Sequence, residues 1–279
     1  MRHRRADFPL QVPEVLKNPA ERFSGRVESY RQFRPGYPVE IVDRLRSECG
    51  LSSDAVVADI AAGTGLLSAI FLQAGFPVIA VEPNAEMRAA CAELAREYPK
   101  LRCVEGTAEA PGLPDGSVDL ITVAQAMHWF DLKRARMEFA RILRPGGSQE
   151  LQPGGWCAAI YNNRHLGGDA FHDGYEQLLR EFGIDYLHVK EQHVGRRRLA
   201  QFFAPAQMQC AVFANRQMLT REALEGRTLS ASYIPQPGHP RFEEMRAALA
   251  RLFEENARQG VVTMRYDCVV CWGRIVQEP

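Results

Sequence analysis

The chain has 279 residues, 46% of them hydrophobic and 24% charged, the balance of an ordinary globular protein with enough length for one large domain or two small ones. Thirty-four basic residues meet thirty-four acidic ones, so the net charge is zero and no global field draws the chain to nucleic acid or to an anionic membrane. No apolar run approaches the ~20 residues of a spanning helix, and the basic start Met1 to Arg5 leads into Ala6-Asp-Phe-Pro9 rather than an apolar stretch. The expectation is a cytoplasmic protein directed at a small molecule, with no nucleic-acid or membrane partner and an oligomeric state the sequence leaves open.

In chain order, the first forty residues carry Tyr30, Arg34 and Tyr37 but no long regular period. Ile41 to Leu45 has helical spacing and stops near Gly50. Ala55 to Ile60 is a short β-branched run, followed by glycines and then by a helical segment, Leu66 to Ala74. Pro77 to Val81 reads as a strand and Asn84 to Tyr98 as a helix with Asn84 as N-cap. Leu101 to Val104 and Val118 to Val123 continue the strands. Asp131 caps a helix running to about Leu143, ended by Pro145-Gly-Gly147, and Trp156 to Tyr161 is a further strand. Strands alternating with helices in this way predict an α/β domain with a mostly parallel sheet. Residues 163–204 then read as helices and form a cap insertion. After them come a strand from Met208 to Phe213, a helix from Thr220 to about Leu229, and a long helix from Pro240 to Ala257. The last strands span Val261 to Ile275. Leu143-Arg-Pro-Gly-Gly147 recurs as Leu151-Gln-Pro-Gly-Gly155, turn chemistry that predicts an extended surface loop.

The seven cysteines are an odd number scattered along the chain, which predicts reduced, mostly buried thiols. Cys268 and Cys271 lie three apart on a strand and point to opposite faces, poor geometry for a shared metal. His165, His172, His188 and His193 match no zinc spacing, so no metal is expected. Arg196-Arg-Arg198 reads as a solvated face.

The densest chemical signal is Val57-Ala-Asp59-Ile-Ala61-Ala-Gly63-Thr-Gly65-Leu-Leu-Ser68, set between a strand and a helix. Glycines there let backbone approach a ligand closely and turn sharply. A nicotinamide-type fingerprint wants a third glycine where Ser68 stands. A ligand with a cationic end and a ribose would instead suit Asp59 together with a second acid after the next strand, and Glu82 is that acid; an acid at this point also suits NAD, so Glu82 alone leaves both readings open.

Asp59-Ile-Ala-Ala-Gly63-Thr-Gly65 resembles the first motif of class I S-adenosylmethionine-dependent methyltransferases. Glu82, Thr107-Ala-Glu109, Ser117 to Phe130 and Leu143-Arg-Pro-Gly-Gly147 fall in the order that superfamily uses. Tyr30-Arg-Gln-Phe-Arg34-Pro-Gly-Tyr37-Pro, Gln125 to Trp129 and Ser232-Tyr233-Ile-Pro resemble a small-molecule subgroup that includes relatives of trans-aconitate methyltransferase.

The resemblance implies a Rossmann-like seven-stranded, mostly parallel sheet with helices on both faces, a lid segment at 1–40 and the methyltransferase domain at 41–279. It implies S-adenosyl-L-methionine as cofactor. Asp59, Ala61 and Gly63 would line its methionine end, with Gln125 and Ala126 flanking it. Glu82 would hold the ribose, Pro83 and Met87 would lie near the adenine, and Ala108 and Glu109 would meet its edge. Tyr30 and Arg34 would fold over the site. His128 would be the catalytic base if the acceptor is a hydroxyl, Arg34 or Arg164 would position a carboxylate acceptor, and Trp129 would contact it. Ala61 stands where glycine is usual, which an L-residue tolerates if φ is negative. Thr107 stands where an acid is often seen.

Overall fold

The computed structural model describes residues 27–145, 155–184, 186 and 195–276. Helices α1 (Val27–Phe33) and α2 (Glu40–Cys49) precede an alternating run: β1 (Val57–Ile60), α3 (Leu66–Gln73), β2 (Val78–Val81), α4 (Ala85–Ala92), β3 (Leu101–Val104), β4 (Leu120–Ala124), α5 (Leu132–Ile142) and β5 (Trp156–Arg164). Then follow α6 (Ala170–Phe182), α7 (Arg196–Phe203), β6 (Gln209–Leu219), α8 (Arg221–Leu229), α9 (Phe242–Asn256) and β7 (Val262–Arg274). The strands form one sheet in the order β3-β2-β1-β4-β5-β7-β6, parallel except where β7 runs antiparallel between β5 and β6.

Alternate strand residues feed two cores, as the two-residue period of a strand requires. Val57, Leu120, Ala158 and Val270 meet Ile41, Leu45, Phe71 and Cys91 from α2, α3 and α4 on one face. Ala58, Ile121, Ala159 and Cys271 meet Phe139, Ile142, Leu199 and Phe203 from α5 and α7 on the other. Helices therefore cover both faces of the central parallel strands, which are accordingly near-continuously apolar, whereas the edge strand β6 alternates exposed and half-buried residues.

Strand order reverses between β1 and β4, which opens a crevice at the carboxyl ends of the parallel strands. Above it, β5, β7 and β6 overrun the sheet: Ala124, the last residue of β4, pairs with Ile160, while β5 continues to Arg164 opposite Tyr266. That overhang carries a third core, in which Tyr175 and Leu179 of α6, Leu224 of α8, and Met245 and Leu249 of α9 pack on Met264 and Tyr266.

Four features differ from the sequence expectation. A short helix, α1, forms where no period was legible, and it docks on α8. Gly226 there has no side chain, and a Cβ would lie 2.2 Å from Phe33 Cδ2. The helix predicted from Asn84 to Tyr98 ends at Ala92 and tightens into a 3₁₀ turn, Glu93–Arg96, before Pro99 disfavours the helical region at Tyr98. The expected cap insertion at 163–204 is split: α6 joins α8 and α9 over the crevice, whereas α7 returns to the sheet face, burying Leu199, Phe202 and Phe203 beside Phe139. Finally, Cys210 and Cys271 form a disulfide, Cα–Cα 4.1 Å, correcting the expectation of reduced thiols throughout. They lie directly opposite in the β6–β7 register, a neighbourhood that spacing within one strand cannot reveal. Most of the repeated Pro-Gly-Gly loop, and His188 and His193, lie outside the described residues.

Candidate active site

The turn from β1 into α3 is built from left-handed residues. Ala61 has φ +58°, Gly63 +59° and Gly65 +84°. Gly65 sits so close to α4 that a Cβ would come within 2.8 Å of Cys91 Sγ and of Leu94 Cδ1, so only glycine fits. Ala61 departs from the negative φ expected for an L-residue. Neighbouring bonds over-determine its geometry: Ala62 N–H donates to the Val81 carbonyl at 3.1 Å, and Gly63 N–H donates to Glu82 Oε2 at 2.8 Å. Glu82 Oε1 accepts from Asn84 N–H at 2.9 Å, so a single carboxylate ties the β1 turn to the start of α4. Burial raises the Glu82 carboxyl above its ordinary value, against the two backbone N–H groups that lower it.

Asp59 lies beneath this turn and is 1% exposed. Its oxygens accept from Ser68 Oγ at 2.6 Å and Thr122 Oγ1 at 3.2 Å. Burial pushes its carboxyl up to about 6 despite those hydrogen bonds. Ser68, the residue that interrupts the glycine fingerprint, is thus the donor that orients the acid.

A first cavity of about 320 Å³ opens over the turn. Ala61, Gly63, Glu82, Pro83, Met87, Ala108, Glu109, Gln125 and Ala126 all line it, with Thr107, Trp129 and Tyr30. Its lining holds carboxylates but no lysine or arginine among the described residues. Glu109 has a second task, since its Oε1 accepts Asp131 N–H at 2.8 Å and anchors the start of α5. Gln125, at φ +58°, follows β4 and donates from its backbone N–H to the Ile160 carbonyl at 2.9 Å.

A second cavity of about 500 Å³ shares Tyr30, Gln125 and Trp129 with the first and extends under the cap. His128 belongs to it, in a short 3₁₀ turn with Trp129, the two rings 4.4 Å apart. Arg34, Tyr37, Asn162, Arg164, Tyr186, Arg227 and Tyr233 supply further walls. Helix α1 closes this side: Tyr30 lies over Gly63, Arg34 donates to the Ser230 carbonyl at 2.8 Å, and Gln217 of β6 donates to the Phe33 carbonyl at 3.0 Å.

The structure therefore gathers the predicted residues into two adjoining chambers, with three shifts from the expected placement. Asp59 lies under the first chamber and not in its wall. Arg34 lines the second chamber and not the first. Arg164 lines the second chamber but is already committed, because Glu176 Oε2 accepts from its Nη2 at 2.6 Å and Tyr186 also reaches that carboxylate at 2.6 Å. Asn84, Ala124 and Phe130 join the first chamber, and their adjacency to predicted residues was the available signal. Arg227 joins the second from a helix that carries no recognisable motif. Among the described residues no group of three or more His, Cys, Asp or Glu is placed to hold a metal, and no helix is long and apolar enough to cross a membrane.

Residues 58–149 match the family described as Methyltransferase domain. The uncharacterized methyltransferase Rv3342 of Mycobacterium tuberculosis is 42% identical over 125 residues, 45% of this chain and 49% of that protein. The malonyl-[acyl-carrier protein] O-methyltransferase of Pectobacterium atrosepticum is 38% identical over 106 residues, 38% of this chain and 41% of that protein. The chain spans about half the length of the first curated relatives it matches. A candidate type II methyltransferase from Anaeromyxobacter dehalogenans shares the fold at a TM-score of 0.64 and 22% identity, over 88% of this chain and all of that one.

Proposed function

We propose that this chain, whose residues 58–149 match a methyltransferase domain and whose sheet shares the fold of a methyltransferase structure, moves a methyl group from S-adenosyl-L-methionine to a small-molecule acceptor. The observation that carries the reading is the pair of chambers meeting at Tyr30, Gln125 and Trp129. One suits a nucleoside without phosphates, and the other leaves room for a second reactant. In the first, Glu82 presents a carboxylate able to accept from both hydroxyls of a ribose, and Pro83, Met87, Ala108 and Phe130 give flat apolar walls. The cavity's carboxylates and the buried Asp59 make a pyrophosphate unwelcome, which disfavours a nicotinamide dinucleotide.

When bound, the cofactor would supply a sulfonium methyl that an acceptor atom takes by in-line displacement, the S–CH3 bond breaking with its electrons returned to sulfur and S-adenosylhomocysteine leaving. The chain has little covalent work to do. Its part is to hold two reactants at near-attack distance and to keep water out, with Tyr30 and Arg34 on the lid and Trp129 between the chambers. O-methylation is the favoured outcome. A carboxylate acceptor is already ionised and needs only placement, whereas a hydroxyl needs a base, and His128 faces the acceptor chamber. The likeness to an O-methyltransferase over 106 residues supports the same outcome. Neutral net charge favours a small acceptor over nucleic acid, and the setting proposed is the cytoplasm.

Thermal unfolding with S-adenosylmethionine, S-adenosylhomocysteine or NAD tests the reading. Saturation at ~100 times the dissociation constant adds ~2.7 kcal/mol, so the first two should raise the midpoint and NAD should not. Glu82→Gln should weaken both adenosyl ligands by about 10-fold to 100-fold, the worth of one charged hydrogen bond. A shift with NAD alone would overturn the assignment.

A further inference from the structure

We propose that Arg34 and Arg227 form an oxyanion subsite in the second cavity, and that the acceptor carries a carboxylate or phosphate group seated on them. This deepens the methyl-transfer reading and rests on it for the identity of that cavity as the acceptor chamber.

Arg227 lies on α8, lines the cavity and is 7% exposed. Its Nε donates to the Tyr266 hydroxyl over a long 3.4 Å, and that hydroxyl itself donates to Gln217 Oε1 at 2.7 Å. Arg34, the residue that follows α1, lines the same cavity. Its Nη2 is used by the Ser230 carbonyl, while its Nε is buried with no hydrogen-bond partner among the described residues. Ser230 Oγ in turn donates to the Arg227 carbonyl at 2.7 Å, so the two arginines are pinned to one turn. Burial, followed by the charge of Arg227, holds the Arg34 guanidinium below its ordinary value, whereas Arg227 is raised above its own, burial being outweighed by Tyr266, Tyr175 and Tyr233 around it. Among the described residues neither arginine has a carboxylate partner, and no acid lines the cavity.

Arg164, in the same wall, shows what a structural arginine looks like here. It is 10% exposed at its side chain, yet Glu176 neutralises it at 2.6 Å. A buried cation without a counter-ion is costly, and two side by side also repel. A ligand oxyanion removes both penalties at once. Two guanidinium forks offer paired N–H donors that match a carboxylate or phosphate, and Tyr37 and Tyr233 add hydroxyls in the same chamber. A neutral acceptor of the same shape would leave the pair uncompensated, so the subsite selects by charge.

The test is calorimetric titration of the full chain, saturated with S-adenosylhomocysteine, with succinate, inorganic phosphate and the neutral succinamide. Succinate or phosphate should bind and succinamide should not, and whichever anion binds tighter separates a carboxylate from a phosphate ligand. Arg227→Gln should weaken that anion at least about tenfold and Arg227→Lys should weaken it less, with S-adenosylhomocysteine affinity unchanged in both. Succinamide binding as tightly as succinate, or an Arg227→Gln protein that binds the anion like wild type, would overturn the proposal. If Arg227→Gln does not fold, the charge selectivity of the wild type and the response of Arg227→Lys still decide. A wild type that binds the anion but not S-adenosylhomocysteine would keep the subsite and sink the methyl-transfer reading instead.

Discussion

Replacing Asp59 by Asn should stabilise the ligand-free protein in a pH-dependent way. Asp59 is buried, and its carboxyl is pushed from 3.8 up to about 6, chiefly by desolvation. A carboxyl raised in the folded state binds its proton more tightly there than in the unfolded chain. The stability linked to that proton is therefore full below about pH 4 and is lost as pH rises through about 6. At ~1.4 kcal/mol per unit, a rise of about two units corresponds to about 3 kcal/mol given up by pH 8. Asn carries no charge and keeps one acceptor, and the Ser68 and Thr122 hydroxyls can rotate to meet its amide. Asp59→Asn should accordingly recover about 1–2 kcal/mol at pH 8, a midpoint some 2–5 °C higher for a chain of this size. The gain should vanish towards pH 4. Melting curves of wild type and variant at pH 8, 6 and 5 measure this directly. A gain that is equal at every pH, or a loss at pH 8, would refute the argument that desolvation of the charge dominates. The same substitution should weaken the cationic S-adenosylmethionine more than S-adenosylhomocysteine, which lacks the sulfonium charge.

Gly226→Ala should lift α1 from α8, because its Cβ would meet the Phe33 ring at 2.2 Å. Protease cutting around α1 should accelerate and adenosyl-ligand affinity should fall, although alanine is the better helix former by about 1 kcal/mol. Arg164→Ala should lower stability by about 1.5–3 kcal/mol in denaturant titration, the worth of one charged hydrogen bond, because Glu176 loses the guanidinium at 2.6 Å but keeps Arg180 at 2.9 Å and the Tyr186 hydroxyl at 2.6 Å. His128→Ala separates the two acceptor chemistries. With a hydroxyl acceptor it should cut turnover by about 10²–10⁴-fold and flatten the acid limb of the pH–rate profile, whereas with a carboxylate acceptor the profile should keep its shape.

The parallel half of the sheet and the first chamber were legible because they depend on short-range order. The apolar run into Asp59, the glycines after it and the acid at Glu82 each sit at a strand end, and β-strand alternation fixes which way they face. Ala61 shows the limit. Its identity could be read, but its φ of +58° is set by Val81 and Glu82, roughly twenty residues away. The second chamber depends on longer-range packing still. Arg227 looks like one more polar position on a short helix until α8 folds over β7 and α1 brings Arg34 to it. The Cys210–Cys271 bond likewise needs an antiparallel register joining residues 61 apart in sequence. Helix α1 has only seven residues and gains its shape from the Phe33–Gly226 contact, not from its own periodicity.

Tyr30 belongs to the walls of both chambers, and the helix that carries it is moored on the far side by Phe33 and Arg34. On the lid reading proposed above, moving this one helix would unroof both compartments together, so the two spent reactants would leave after a shared opening event rather than on independent schedules.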